Sequence, residues 1–198
     1  MADDLIRSEL LSADWNGEWM RLQAARHRAD DSFEWDKRAR HFRPLETAPY
    51  AWDFIKLLAL EPGEPVLDMG CGTAVLGILA RMKGAASVVA VDIDEFAVEN
   101  AIENIRLNHV SGVEVRLGGI EALKQESFDF IFANINRNIL LADMHAYVAC
   151  MKRGSRIFMS GFYVEDIPFI RAEAEHLGLR FVGYAEKNRW VAVECMSD

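Results

Sequence analysis

From Pro65 to the C-terminus, short runs rich in β-branched and aromatic residues alternate with stretches of helical periodicity. The pattern predicts strands over 65–69, 87–92, 113–117, 128–133, 156–161, 179–186 and 190–194, and helices over 75–82, 95–108, 138–151 and 166–176. A parallel crossover needs a long connection, and a helix supplies it, so this alternation implies a parallel sheet covered on both faces. The last two strands are separated only by Lys187-Asn188-Arg189, too few residues for a crossover, and must pair as an antiparallel hairpin. The fold class is therefore α/β: a mostly parallel, seven-stranded, Rossmann-like sheet with a C-terminal antiparallel hairpin.

The region before Pro65 reads differently. Leu5 to Arg43 has helix-forming composition with spaced apolar anchors (Trp15, Trp19, Leu22, Phe33, Trp35, Phe42), and Pro44 to Pro49 breaks it. Tyr50 to Leu60 then has the spacing of an amphipathic helix, closed by Glu61-Pro62-Gly63. The expected organisation is a helical N-terminal extension over 1–48 and one domain over 49–198. At 51% hydrophobic and 27% charged, 198 residues suffice for one real core. A net charge of −9 argues against nucleic acid as a partner. Arg21 to Arg43 departs from this, with seven basic residues against four acidic ones, and reads as a solvated helix face. The apolar stretches are too short for membrane spans, and Asp3 and Asp4 open the chain, so a soluble, cytoplasmic protein is expected. Cys71, Cys150 and Cys195 lie far apart without metal-ligand spacing, so neither a disulfide nor a metal is expected.

The chemistry concentrates after the first strand. In an open parallel sheet ligands bind beyond the carboxyl ends of the strands, and Asp68-Met69-Gly70-Cys71-Gly72-Thr73-Ala74 occupies that place. Gly70 and Gly72 permit a tight turn and close approach of a ligand to the backbone. A nicotinamide fingerprint would require a third glycine where Val75 stands. The acid at Asp68 would repel a pyrophosphate but suits a ligand bearing an ammonium and a sulfonium, which points to S-adenosylmethionine (SAM). Asp92 follows Gly72 by twenty residues, the spacing at which an acid meets both ribose hydroxyls. The expected cofactor contacts are Asp68, Gly70, Cys71, Gly72, Asp92, Ile93, Gly119 and Asn134, with Gly118 and Gly119 bordering the adenine. Asp94 is expected to cap the next helix, and Cys71 to act as a small filler of the loop rather than a nucleophile.

The stretches VLDMGCGTAVLGILA (66–80), VVAVDIDEFAVENAIENIRLN (88–108), FDFIFANINRNIL (128–140) and MSGFYVEDI (159–167) resemble the ribosomal protein L11 methyltransferase (PrmA) family. That resemblance implies a class I methyltransferase fold, SAM held by Asp68, Gly70, Gly72 and Asp92, Asn134 beside the transferred methyl, and a protein amine as acceptor. Residues 1–60 are instead similar to the opening of another group of SAM-dependent methyltransferases. Ala74 stands near the meeting point of the two resemblances, where a third glycine is usual, and is expected to alter the loop slightly or weaken cofactor binding.

Methyl transfer from a sulfonium is an in-line displacement in which positioning supplies much of the rate. Asn134 is the expected catalytic residue, offering its side-chain carbonyl to the nucleophile, with Asn136 and Tyr50 as substrate contacts. Asn134-Ile135-Asn136-Arg137 departs from the N-P-P-Y sequence of enzymes acting on planar amino groups. That substrate class is disfavoured; the resemblance implies an amine of a protein, a small-molecule amine stays open, and the alternative is a non-catalytic SAM-fold interaction protein.

Overall fold

The computed structural model describes residues 60–198. Tyr50, the basic segment and the 48/49 domain boundary lie outside the described residues. The described chain runs β1 (Pro65–Met69), α1 (Val75–Met82), β2 (Ser87–Asp92), α2 (Glu95–Leu107), β3 (Val113–Leu117), β4 (Phe128–Asn134), α3 (Arg137–Ala149), β5 (Met151–Tyr163), α4 (Ile167–His176), β6 (Leu179–Lys187) and β7 (Trp190–Ser197). Short 3₁₀ turns at Ile120–Ala122 and Val164–Asp166 follow β3 and β5. The strands form one seven-stranded sheet in the order β3-β2-β1-β4-β5-β7-β6. β1 to β5 are mutually parallel, and β7 inserts antiparallel between β5 and β6.

Side chains along the central strands alternate between two covered faces. Leu67, Met69, Val89, Val91, Ile131, Ala133, Ile157 and Met159 point into one core, which Leu140, Met144 and Tyr147 of α3 and Ile170 and Ala174 of α4 complete. On the other face Phe130 stacks on Phe158 with centroids 5.0 Å apart and lies 4.9 Å from Phe132. Cys71, Ala74, Ile78, Ala90 and Ala101 form a second cluster around α1 and α2. Full burial of a large aliphatic or aromatic side chain contributes about 1.5–3 kcal/mol, which makes the central pair β1 and β4 the rigid floor of the domain.

α3 ends at Ala149 and β7 runs on to Ser197, two residues short of and three beyond the sequence expectation, and two further departures are larger or change a turn. β5 runs from 151 to 163 rather than 156 to 161. After Met151, Lys152, Arg153 and Gly154 are exposed, with Gly154 at φ +79°, so no apolar alternation marks this start. Ser155 ties this irregular start to β4 by donating its hydroxyl to the carbonyl of Phe128 at 2.8 Å. Its far end continues past a bulge at Gly161, where Phe162 and Tyr163 pair with Val191 and Trp190 of β7. The hairpin is also tighter than three residues. Lys187 pairs with Trp190, and Asn188 and Arg189 alone turn the chain at φ +53° and +69°, the doubly left-handed turn whose twist matches paired strands.

The chain moves outward from β1 through β2 to β3, then returns to the other side of β1 as β4. A crevice opens at such a reversal, beyond the carboxyl ends of the two strands. The β1 end carries the glycine loop and the β4 end carries Asn134. Among the described residues no helix is long and apolar enough to cross a membrane.

Candidate active site

The loop after β1 is clipped to the end of β2 by its own backbone. Gly70 and Cys71 both donate their N–H groups to the carbonyl of Val91, at 2.9 and 3.1 Å, and Ala74 donates to the carbonyl of Cys71 at 2.8 Å. Asp92 secures the tip. One carboxylate oxygen accepts from the Gly72 N–H at 2.8 Å and the other from the Asp94 N–H at 3.0 Å. An ionised carboxylate has about four acceptor positions, so both oxygens keep capacity for a pair of hydroxyls. Asp94 caps α2 as the sequence implies, accepting from the Phe96 N–H at 2.9 Å. From α2, Asn104 donates to the carbonyl of Thr73 at 3.0 Å and braces the loop from outside.

Asp68 is buried, with 1% of its surface exposed. Its Oδ2 accepts from the Gly77 N–H at 2.9 Å, in the first turn of α1. A Cβ on Gly77 would come within 3.1 Å of that same oxygen, so the glycine makes room for the acid. The arrangement also resolves a capping problem. Ala74, at the N-cap of α1, has no side-chain oxygen, and Asp68 reaches across from β1 to serve a free N–H of the helix instead. Ala74 itself takes the left-handed conformation at φ +58°. The loop therefore keeps a glycine-like turn at this position, with the methyl group fully buried.

Desolvation pushes Asp68 from 3.8 up to about 7; the Gly77 hydrogen bond pulls against this, and the nearby Asp92 adds to it. Asp92 is raised as well, chiefly by burial, with the N–H groups of Asp94 and Gly72 opposing. Burial likewise pushes the Cys71 thiol up, reinforced by Asp68 and Asp92, which makes it a poor thiolate and agrees with a filler role. Two neighbouring carboxylates that resist ionisation favour a nearby cation, which would relieve both, over a phosphate. Around Gly72, at φ +54°, an added Cβ would meet nothing within 4 Å among the described residues. The carboxylate acceptors beside the glycine loop thus fit a ligand with an ammonium, a sulfonium and a ribose.

Ile93 is half-buried beside Asp92. Gly119 is buried, its N–H bound at 2.6 Å to Oε1 of Glu121, while Gly118 donates its N–H to the carbonyl of Asp92 at 2.8 Å. Those contacts hold the turn after β3 against the end of β2.

On the opposite side of the crevice, Asn134 ends β4 with its side chain exposed. Its Oδ1 accepts from the Ser160 hydroxyl at 2.9 Å, across the parallel pair β4 and β5. Ile135 is wedged between two glycines. A Cβ on Gly70 would come within 2.6 Å of the Ile135 side chain, and one on Gly161 within 2.5 Å of the Ile135 carbonyl oxygen. The Ile135 N–H donates to the Ser160 carbonyl at 3.0 Å. Asn136 is the N-cap of α3, where its Oδ1 accepts from the N–H groups of Asn138 and Ile139 at 3.1 and 3.2 Å. Only its amide N–H₂ is left to offer a ligand. Arg137 pairs with Asp166 at 2.6 Å and lies over Phe169, joining the turn after β4 to the turn after β5. Glu121 and Asn104 have no role in the sequence reading, and Ser160 enters it only within the resembling stretch 159–167; the partners of Asn104 and Ser160 lie 31 and 26 residues away and meet them only in the folded chain. Among the described residues no cluster of three metal-ligating side chains occurs.

Residues 52–197 match the family described as ribosomal protein L11 methyltransferase (PrmA). The chain is similar to a ribosomal protein L11 methyltransferase of Phocaeicola vulgatus, 59% identical over 133 residues, which covers 67% of this chain and 47% of that protein. With its counterpart in Bacteroides thetaiotaomicron identity is 62% over 130 residues, covering 65% and 46% of the two chains. The chain thus spans about half the length of the curated relatives it matches. Among solved structures it is similar to a ribosomal protein L11 methylase from Lactobacillus delbrueckii, with a TM-score of 0.69 at 25% identity, over 77% of this chain and 80% of that one. A SAM-dependent methyltransferase from Aquifex aeolicus shares the fold, with a TM-score of 0.64 at 20% identity over 79% of this chain and 100% of that one.

Proposed function

The chain belongs to the ribosomal protein L11 methyltransferase (PrmA) family, and we propose that it is a SAM-dependent methyltransferase acting on an amine of a protein, with ribosomal protein L11 as its acceptor. The observation that carries this reading is the pair of desolvated carboxylates, Asp68 and Asp92, beside a glycine loop across the sheet reversal from Asn134. When bound, SAM supplies a methyl group on a sulfonium, open to in-line displacement by an amine. Asp68 draws the ligand's ammonium, and Asp92 uses its free acceptor positions for the ribose hydroxyls. Gly70, Cys71 and Gly72 line the cofactor with backbone, while Ile93 and Gly119 border the adenine.

Asn134 is the catalytic residue in this reading. Its Oδ1 accepts an N–H of the acceptor amine and turns the nitrogen lone pair towards the methyl. Asn136, through its amide N–H₂, and Tyr50 contact the acceptor. The SAM-binding domain extends from 49 to 198, preceded by the extension over 1–48, and the protein works in the cytoplasm, where a ribosomal protein is met. The start of the family match at residue 52 supports that division. Titration calorimetry with SAM and S-adenosylhomocysteine tests the cofactor, and transfer of radiolabelled methyl to purified ribosomal protein L11 tests the acceptor. Binding of neither ligand at millimolar concentration overturns the reading. Binding without label on L11 overturns the acceptor.

A further inference from the structure

We propose that Ser160 and Gly161, at the bulged end of β5, are the device that positions Asn134. The inference rests on Asn134 acting as the amine acceptor described above. Ser160 stands opposite Asn134 in the β4 and β5 register, and its hydroxyl donates to Oδ1 at 2.9 Å. A carbonyl oxygen has two lone pairs. Ser160 takes one and leaves the other for the acceptor amine. The terminal torsion of asparagine is broad and close to two-fold. An exposed Asn134 lacking this tether would turn its amide N–H₂ towards the acceptor for part of the time, and a donor facing an amine N–H repels it.

Gly161 completes the device through the backbone. At φ +98° it lets the strand bulge against Ile135, and a Cβ there would strike the Ile135 carbonyl. The Ser160 carbonyl takes the Ile135 N–H at 3.0 Å, so the residue after Asn134 is pinned from the same side. Because the side chain of Ile135 rests on Gly70, the pinning also sets the spacing between acceptor and cofactor loop. Neither Ser160 nor Gly161 need touch the cofactor for this, and Ser160 acts through Asn134.

The test uses the full chain with S-adenosylhomocysteine bound, selectively ¹⁵N-labelled at asparagine side chains. The Asn134 amide signals are identified by their loss in Asn134→Ala. Ser160→Ala is expected to shift or broaden that pair alone, and Ser160→Thr, which keeps the hydroxyl, to restore it. In methyl transfer to ribosomal protein L11, Ser160→Ala is expected to lower kcat roughly tenfold, the weight of one hydrogen bond in the transition state. KM and affinity for S-adenosylhomocysteine stay within twofold, and Ser160→Thr recovers most of the rate. An Asn134 amide unmoved in Ser160→Ala overturns the proposal whatever the activity. A normal rate in Ser160→Ala beside a defective Asn134→Ala also overturns it. A normal rate in Asn134→Ala overturns the underlying catalytic reading instead.

Discussion

Replacing Asp68 by asparagine is expected to make the unliganded protein more stable above neutral pH. An acid whose folded pKa is raised binds its proton more tightly in the folded state than in the unfolded one. Between the unfolded value of 3.8 and the folded value of about 7, folding therefore takes up a proton, and stability falls as pH rises. Below that window the carboxyl is neutral in both states and costs nothing. Above it the full penalty applies, at 1.36 kcal/mol per pH unit on the order of 4 kcal/mol. Asparagine removes this penalty and can keep the hydrogen bond from the Gly77 N–H. Its buried amide N–H₂ costs about 1–3 kcal/mol if unpartnered. The net gain at pH 8 is then about 1–3 kcal/mol. Asp92 shifts in the same direction and remains in both proteins, whereas the lowered acids Glu114 and Glu126 are paired with Arg116 and act below their unfolded values near 4.5. Urea denaturation of both proteins at half-unit steps from pH 5 to 8.5 isolates the effect. The parent should lose stability across the window and the variant should slope less. A variant less stable than the parent at pH 8, with an unchanged slope, would refute the reasoning. In that event Asp68 would be a stabilising ion rather than a desolvated one.

The same linkage predicts proton release when S-adenosylhomocysteine binds near pH 7, seen as a binding enthalpy that varies with the ionisation enthalpy of the buffer; no buffer dependence would contradict it. Tyr147 is fully buried and its hydroxyl has no partner among the described residues, so Tyr147→Phe should stabilise the fold by about 1–2 kcal/mol in denaturant titration, from relief of an unsatisfied polar group. Ala74→Gly relieves a left-handed alanine, worth about 1–2 kcal/mol, but removes a buried methyl worth about 0.8 kcal/mol and adds backbone freedom, so stability should change by less than about 1 kcal/mol. Gly161→Ala should lose about 2–4 kcal/mol in thermal or urea unfolding, because its methyl meets the Ile135 backbone at a φ that favours glycine.

How much of this was legible in the sequence follows from the range over which each contact acts. The α/β alternation, the bounds of β1, α1, β2 and β3, and the cap at Asp94 depend on neighbours within a few residues, and the observed elements begin and end there. The hairpin followed from chain length alone. The start of β5 did not, since polar residues and Gly154 interrupt the alternation that reveals a strand, and its place is set by pairing with β4. Asp68 was visible as an acid at the loop but not as the cap of α1, a role that arises because Ala74 cannot fill it.

The Asn134 side of the crevice illustrates the same rule at longer range. Its position at a strand end can be read from the run Phe128 to Ala133, but what orients it lies 26 residues onward in Ser160. A glycine in the loop after β1 and another in the bulge of β5 then close on one isoleucine, Gly70 at its side chain and Gly161 at its backbone. Each glycine considered alone looks like turn chemistry. Brought together by the order β1-β4-β5, they place Ile135 between the glycine loop and Asn134. In the proposed methyl transfer, which depends on aligning two centres, that spacing would be a catalytic variable, and it belongs to no single stretch of the chain.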